Sequence, residues 1–86
     1  MEKSIFTDEY AVLLAVLRET RRAAKLTQIQ LAERLGQSQS FVSKVEIGER
    51  RLDVIQLRTI CHALGTTLPA FVAKLEKRLA QRDKAE

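Results

Sequence analysis

Gln39, Ser40, Ser43 and Lys44 bring an amide, two hydroxyls and an ammonium into six consecutive positions. A hydrophobic core has little use for such groups, because burying them without partners is unfavourable. Outside a core they are hydrogen-bonding tools: glutamine pairs a donor with an acceptor, lysine donates, and serine does either. Carried on the outward face of the first two turns of one short helix, they have the reach to read base edges in a DNA major groove. Gln39 and Lys44 are the most informative of the four, with adenine and guanine as their natural partners. Around them stand groups suited to phosphate oxygens. Gln28 and Ser38 open two short helices, and Arg50 and Arg51 follow the second. Arg22 and Lys25 are further phosphate candidates. Phe41 is open to two roles, an apolar contact to a thymine methyl or sugar, or a place partly in the core.

These side chains need two helices and a tight turn to present them. Thr27 can cap the first helix, with Gln30 completing a capping box three residues on. Leu31, Ala32 and Leu35 share its inner face. Gly36 then supplies the left-handed residue that ends a helix without strain. Ser38 can cap the second helix, on which Val42 and Val45 face inward and Gly48 closes the C-terminus. Ala32 is small, as a steep crossing of two helices requires. Beyond the pair, Asp53 with Gln56 starts a fourth helix carrying Leu57, Ile60, Cys61 and Leu64 inward, until Gly65. Thr66 or Thr67 caps a last helix, with Pro69 in its first turn and Leu68, Phe71, Val72, Leu75 and Leu79 on its stripe.

The first helix is expected over about Asp8 to Lys25, capped from among Ser4, Thr7 and Asp8. Tyr10, Leu13, Leu14, Leu17, Arg21 and Ala24 form one stripe, and Val12, Ala15, Val16 and Ala23 widen it. Such a helix must be covered on two sides. Arg21 is a charge on an apolar stripe, and a buried guanidinium calls for a carboxylate. Glu46, at the end of the second motif helix, is the expected mate; snorkelling of Arg21 to solvent is the alternative.

Taken together, these residues resemble the helix-turn-helix family of lambda-type repressors and Cro proteins, the Xre-like family. The resemblance runs from about Leu17 to Leu75. It rests on L-T-Q-x-x-L-A-x-x-L-G over residues 26–36 and S-x-S-x-V-S-K-V-E-x-G-E-R-R over residues 38–51. It implies an all-α, five-helix lambda-repressor-like DNA-binding domain with the helix-turn-helix at helices 2 and 3. It also implies a structural ion pair between Arg21 and Glu46, which stand on matching positions and would tie helix 1 to helix 3. Many family members carry Asn where Ile47 stands, so the turn after the second motif helix is expected to differ slightly.

Composition is consistent with that reading. Eighty-six residues with one cysteine, no tryptophan and 45% hydrophobic content suit one small globular domain. The expected organisation is a flexible arm over residues 1–7, a DNA-binding domain over 8–80 and a polar tail over 81–86. Three glycines and one proline leave little loop. No apolar run reaches the ~18–20 residues of a membrane span, and the start of the chain lacks a signal peptide's apolar stretch. Lone Cys61 makes no internal disulfide and reads as a small core residue, which suits a reducing cytoplasm. The net charge is +4; residues 1–10 contribute −2, residues 18–51 contribute +4, residues 53–69 nothing and residues 70–86 contribute +2. The positive balance therefore surrounds the helix-turn-helix, as a polyanion partner requires.

No Ser/His/Asp set, phosphate-cradling glycine loop or metal-spaced cluster of His, Cys and carboxylates is present, so neither catalysis, a cofactor nor a metal is expected. His62 reads as an ordinary surface or boundary histidine. The expected function is sequence-specific binding of a double-stranded DNA operator as a small transcriptional regulator, with repression the simplest action. An antitoxin partnered by a toxin and the controller of a restriction–modification operon remain alternatives. A helical adaptor that binds protein is the rival from another class. A homodimer on an inverted repeat is expected, with Val12 and Val16 on the second side of helix 1 and Leu75 and Leu79 on the last helix as its interface. Leu68, Val72, Leu75 and Leu79 recur at heptad-like spacing.

Overall fold

Glycine occurs only at positions 36, 48 and 65 and proline only at 69, so few residues can interrupt a helix. The computed structural model describes the backbone of residues 2–85 and the side chains of residues 8–84. Among them it contains five α-helices: α1 (Glu2–Ala23), α2 (Gln28–Leu35), α3 (Gln39–Glu46), α4 (Val54–Ala63) and α5 (Leu68–Ala85). Local chemistry explains each break. The Thr27 hydroxyl accepts from the Gln30 N–H at 3.1 Å, while the Gln30 side chain accepts from the Thr27 N–H at 2.9 Å. α2 ends at Gly36, whose φ of 66° is left-handed. Ser38 then accepts from the Phe41 N–H at 3.1 Å and starts α3 after a turn of only three residues. Asp53 and Gln56 make the same reciprocal cap for α4, at 2.7 and 3.0 Å. Thr67 caps α5, its hydroxyl accepting from the Ala70 N–H at 3.3 Å.

The short helices cannot be stable alone and hold their shape through packing. α2 lies against α3 and α4, α1 lies against α3 and α5, and α4 lies against α5. Between them sits one core that includes Val16, Leu17, Leu31, Ala32, Val42, Val45, Ile60, Cys61, Leu64 and Phe71. Two ion pairs on the surface run along the α1–α5 contact, Arg78 to Glu19 at 2.7 Å and Arg82 to Asp8 at 3.3 Å. The Arg78 guanidinium beside Glu19 holds that carboxyl below its ordinary range.

Three expectations need correction. α1 starts at Glu2, not near Asp8, so within the arm expected over residues 1–7 the described backbone, residues 2–7, is helical. The side chains of Ser4 and Thr7 lie outside the described residues. α5 likewise runs on to Ala85, through most of the stretch expected as a polar tail. Neither end holds a glycine or proline to stop the helix, and extending an existing helix is far easier than starting one. Arg82, within the expected tail, reaches across to Asp8. Third, Val16 is 0% exposed and belongs to the domain's own core. It offers nothing to a second subunit, because α3 and α5 of the same chain cover the broad apolar surface of α1. Val12 and Leu75 are half-buried against that core, and Leu79 is half-buried on α5.

Candidate nucleic-acid interface

The outward face of α3 carries Gln39, Ser40 and Lys44 exposed and Ser43 half-buried, while Val42, Val45 and Glu46 turn inward. All four polar side chains thus share one surface of an eight-residue helix. Beneath them lies the charged centre of the site. Arg21 is 8% exposed and Glu46 2% exposed. The guanidinium makes two bonds to the carboxylate, Nε to Oε2 at 2.6 Å and Nη2 to Oε1 at 3.1 Å. Its third nitrogen donates to the Leu26 carbonyl at 2.9 Å, which ties the loop before α2 into the same cluster. Pairing of this kind offsets much of the cost of burying two charges.

The pair is also the root of a hydrogen-bonded chain that ends on the exposed face of α3. Gln28 donates its side-chain amide to Glu46 Oε1 at 2.9 Å. Its own carbonyl oxygen accepts from Gln39 Nε2 at 2.9 Å. Gln28 therefore holds the first residue of α3 against the first residue of α2. It is half-buried, and its amide is already engaged on both sides within the protein. Gln39 still retains one amide N–H and its carbonyl oxygen, the two groups that pair with one base edge. Ser38 is exposed at the cap of α3.

Past α3 the chain turns sharply. Gly48 has φ 87°, and a methyl group there would meet Leu14 Cδ1 at 3.2 Å. The Lys44 carbonyl accepts from both the Glu49 and Arg50 N–H groups, at 2.9 and 3.1 Å. From this turn the two exposed arginines diverge. The Arg50 guanidinium carbon lies 5.2 Å from the centre of the Phe41 ring, on α3 itself. That of Arg51 lies 4.4 Å from the Tyr10 ring, on α1. Both distances are within the range of cation–π attraction. Phe41 is thus half-buried against the core and also carries Arg50.

Arg18, and the bonds that Gln28 makes, were not singled out from the sequence. Arg18 donates Nη1 to the Glu46 carbonyl at 2.8 Å, fixing the end of α3 to α1. Its position one turn before Arg21 on the same helix face was the signal available. The bonds of Gln28 to Glu46 and Gln39 had none, because they join residues 18 and 11 positions apart. Arg22 and Lys25 are exposed, at and beyond the end of α1. Among the described residues no helix is long and apolar enough to cross a membrane.

Comparison with known proteins shows what the chain as a whole is similar to. A family model described as helix-turn-helix matches residues 17–71, which include the whole of α2, α3 and α4. An XRE-family like protein from Pseudomonas syringae pv. tomato is 49% identical in sequence and superposes with a TM-score of 0.81. That match covers 90% of this chain and 94% of the other. The clp gene regulator ClgR from Corynebacterium glutamicum is 27% identical with a TM-score of 0.71, over 81% of this chain and 91% of its own. A second structure of ClgR is 28% identical with a TM-score of 0.68, over 90% and 86%. No curated protein matches the chain.

Proposed function

This chain belongs to the Cro/C1-type, Xre-like helix-turn-helix family of DNA-binding regulators, and on that premise we propose that it is a small repressor that binds an inverted-repeat operator as a homodimer. The observation that carries this reading is the outward face of α3, where Gln39 is held by hydrogen bonds rooted in the buried Arg21–Glu46 pair. A reading side chain ordered before DNA arrives loses less freedom on binding.

In this reading Gln39 pairs with an adenine and Lys44 donates to a guanine, each contributing ~1–3 kcal/mol of discrimination. Ser40 and Ser43 complete the base contacts. Arg50, Arg51, Ser38 and the second side-chain N–H of Gln28 hold phosphates on either side and set the register of the helix in the groove. One short helix reads only a few base pairs, so a second copy is needed to single out a site in a genome. Val12, Leu75 and Leu79 remain candidates for the two-fold contact. Val72, 44% exposed and one heptad before Leu79, extends that edge of α5. A two-fold axis there would set the recognition helices ~34 Å apart, one turn of DNA. Occupying such an operator blocks transcription with no further chemistry.

The test is selection of bound duplexes from a randomised library, followed by affinity measurements on single-base variants of the selected site. Gln39→Ala and Lys44→Ala should each relax preference at particular base pairs. Equal losses across every variant would reassign both side chains to the DNA backbone.

A further inference from the structure

Arg51 is exposed on a loop, yet its guanidinium is not left to solvent. It lies over the ring of Tyr10, 41 positions earlier in the chain and on a helix that contributes nothing to the outward face of α3. We propose that Tyr10 is a positioning residue for DNA binding, its ring holding the Arg51 guanidinium ready for a backbone phosphate. The proposal rests on the reading of Arg51 as a phosphate contact.

Three observations carry it. First, the backbone aims the side chain. Gly48 at φ 87° and the doubly accepting Lys44 carbonyl fix the turn after α3, so that Arg50 and Arg51 leave on different sides. Arg50 lies along α3 against Phe41, and Arg51 crosses to α1. Second, Tyr10 is held for its ring. Its hydroxyl is buried and makes no hydrogen bond among the described residues. A buried polar atom without a partner is unfavourable, so no hydrogen bond among the described residues accounts for a tyrosine at this position. Third, Arg51 and Tyr10 border a hollow of about 270 Å³, whose remaining walls are Ala11, Leu14, Ile47 and Gly48. No carboxylate among the described residues lines it. The aromatic face is therefore what draws the guanidinium to this side of the loop, through the negative face of the ring.

A long arginine side chain free to sample many rotamers loses that freedom when it grips a phosphate. A ring that restrains it beforehand removes part of the loss, and the charge is unchanged. Two signatures follow. Removing the ring should weaken binding to all duplexes alike by about two- to fivefold, the value of an exposed cation–π contact. It should leave the slope of log K against log salt where it was, because the phosphate contact itself remains. Removing Arg51 should instead flatten that slope by roughly one unit.

The experiment is a double-mutant cycle read by fluorescence anisotropy, on a duplex selected by the parent protein and on a scrambled duplex of equal length. The variants are Tyr10→Leu, Arg51→Ala, the two together, and Tyr10→Phe. Tyr10→Phe is expected to bind like the parent. Tyr10→Leu is expected to lose two- to fivefold on both duplexes at an unchanged slope, and the double variant to bind like Arg51→Ala alone. Losses that multiply in the double variant, or a Tyr10→Leu protein that binds as well as or better than the parent, overturn the proposal and leave Arg51 as a phosphate contact. Unchanged affinity and slope in Arg51→Ala would remove Arg51 from the interface, and the proposal falls with it. Should Tyr10→Leu fail to fold, NMR of the parent and Tyr10→Phe proteins decides. Arg51 side-chain protons shifted upfield by the ring in both support the seat, and unshifted protons overturn it.

Discussion

Replacing Arg21 by alanine tests whether the buried ion pair is the mechanical root of the site. The substitution removes all three hydrogen bonds of the guanidinium, two to Glu46 and one to the Leu26 carbonyl. Glu46 stays buried at 2% exposure, with the Gln28 amide as its remaining side-chain donor. Breaking a buried pair from one side costs about 3–5 kcal/mol, because the remaining charge has neither water nor a counterion. A domain of this length is stable by roughly 4–13 kcal/mol in total, so the loss consumes at least about a fifth of that stability. With each kcal/mol moving the midpoint ~4–8 °C in so small a domain, Arg21→Ala should melt at least ~12 °C below the parent. Thermal and urea unfolding followed by far-ultraviolet circular dichroism measures this directly. Arg21→Met combined with Glu46→Leu removes both charges together and should recover most of the stability, since apolar replacement of a whole buried pair is often neutral. That double variant should still bind DNA poorly, because Gln28 has lost its anchor and Gln39 its support. An Arg21→Ala protein melting within ~2 °C of the parent would refute the reasoning, as that is the behaviour of an exposed pair.

Two further outcomes are expected. Leu79→Glu should turn a dimeric parent into a monomer by sedimentation and weaken operator binding. Ile55→Glu, on α4 at a residue 70% exposed, should leave association intact, and loss of the dimer through Ile55 instead would move the interface to α4. Burial pushes the Cys61 thiol above the ordinary thiol pKa, so the folded state favours the neutral thiol. That contribution to stability is full below the unfolded thiol's pKa and is lost as pH rises through the folded one. A thiol reagent at pH 8 should therefore leave native Cys61 unmodified and label it in urea. Cys61→Ala should show a smaller fall in urea midpoint between pH 8 and pH 10 than the parent.

Local chemistry was enough to read the elements and most of their boundaries. Thr27 with Gln30, Gly36, Ser38, Asp53 with Gln56 and Gly65 each act within a few residues of themselves, through caps and left-handed turns that hardly depend on the rest of the fold. The apolar periods of α2 to α4 were legible for the same reason. A guanidinium on the stripe of α1 asks for a carboxylate, and the sequence offered Glu46 at a helix end able to reach it. The outer ends of α1 and α5 were harder to place, because polar residues without glycine or proline read equally well as tail or as helix. The difference lies in neighbours such as Asp8 and Arg82, 74 positions apart. Val16 shows the same limit. A valine on a broad apolar helix face can be covered by its own chain or by another, and only the packing of α3 and α5 decides which. The path from Glu46 through Gln28 to Gln39, and the seats of Arg50 on Phe41 and Arg51 on Tyr10, belong to tertiary structure alone. These contacts join residues between 9 and 41 positions apart, and nothing in the local periodicity of a helix relates such positions until the helices cross.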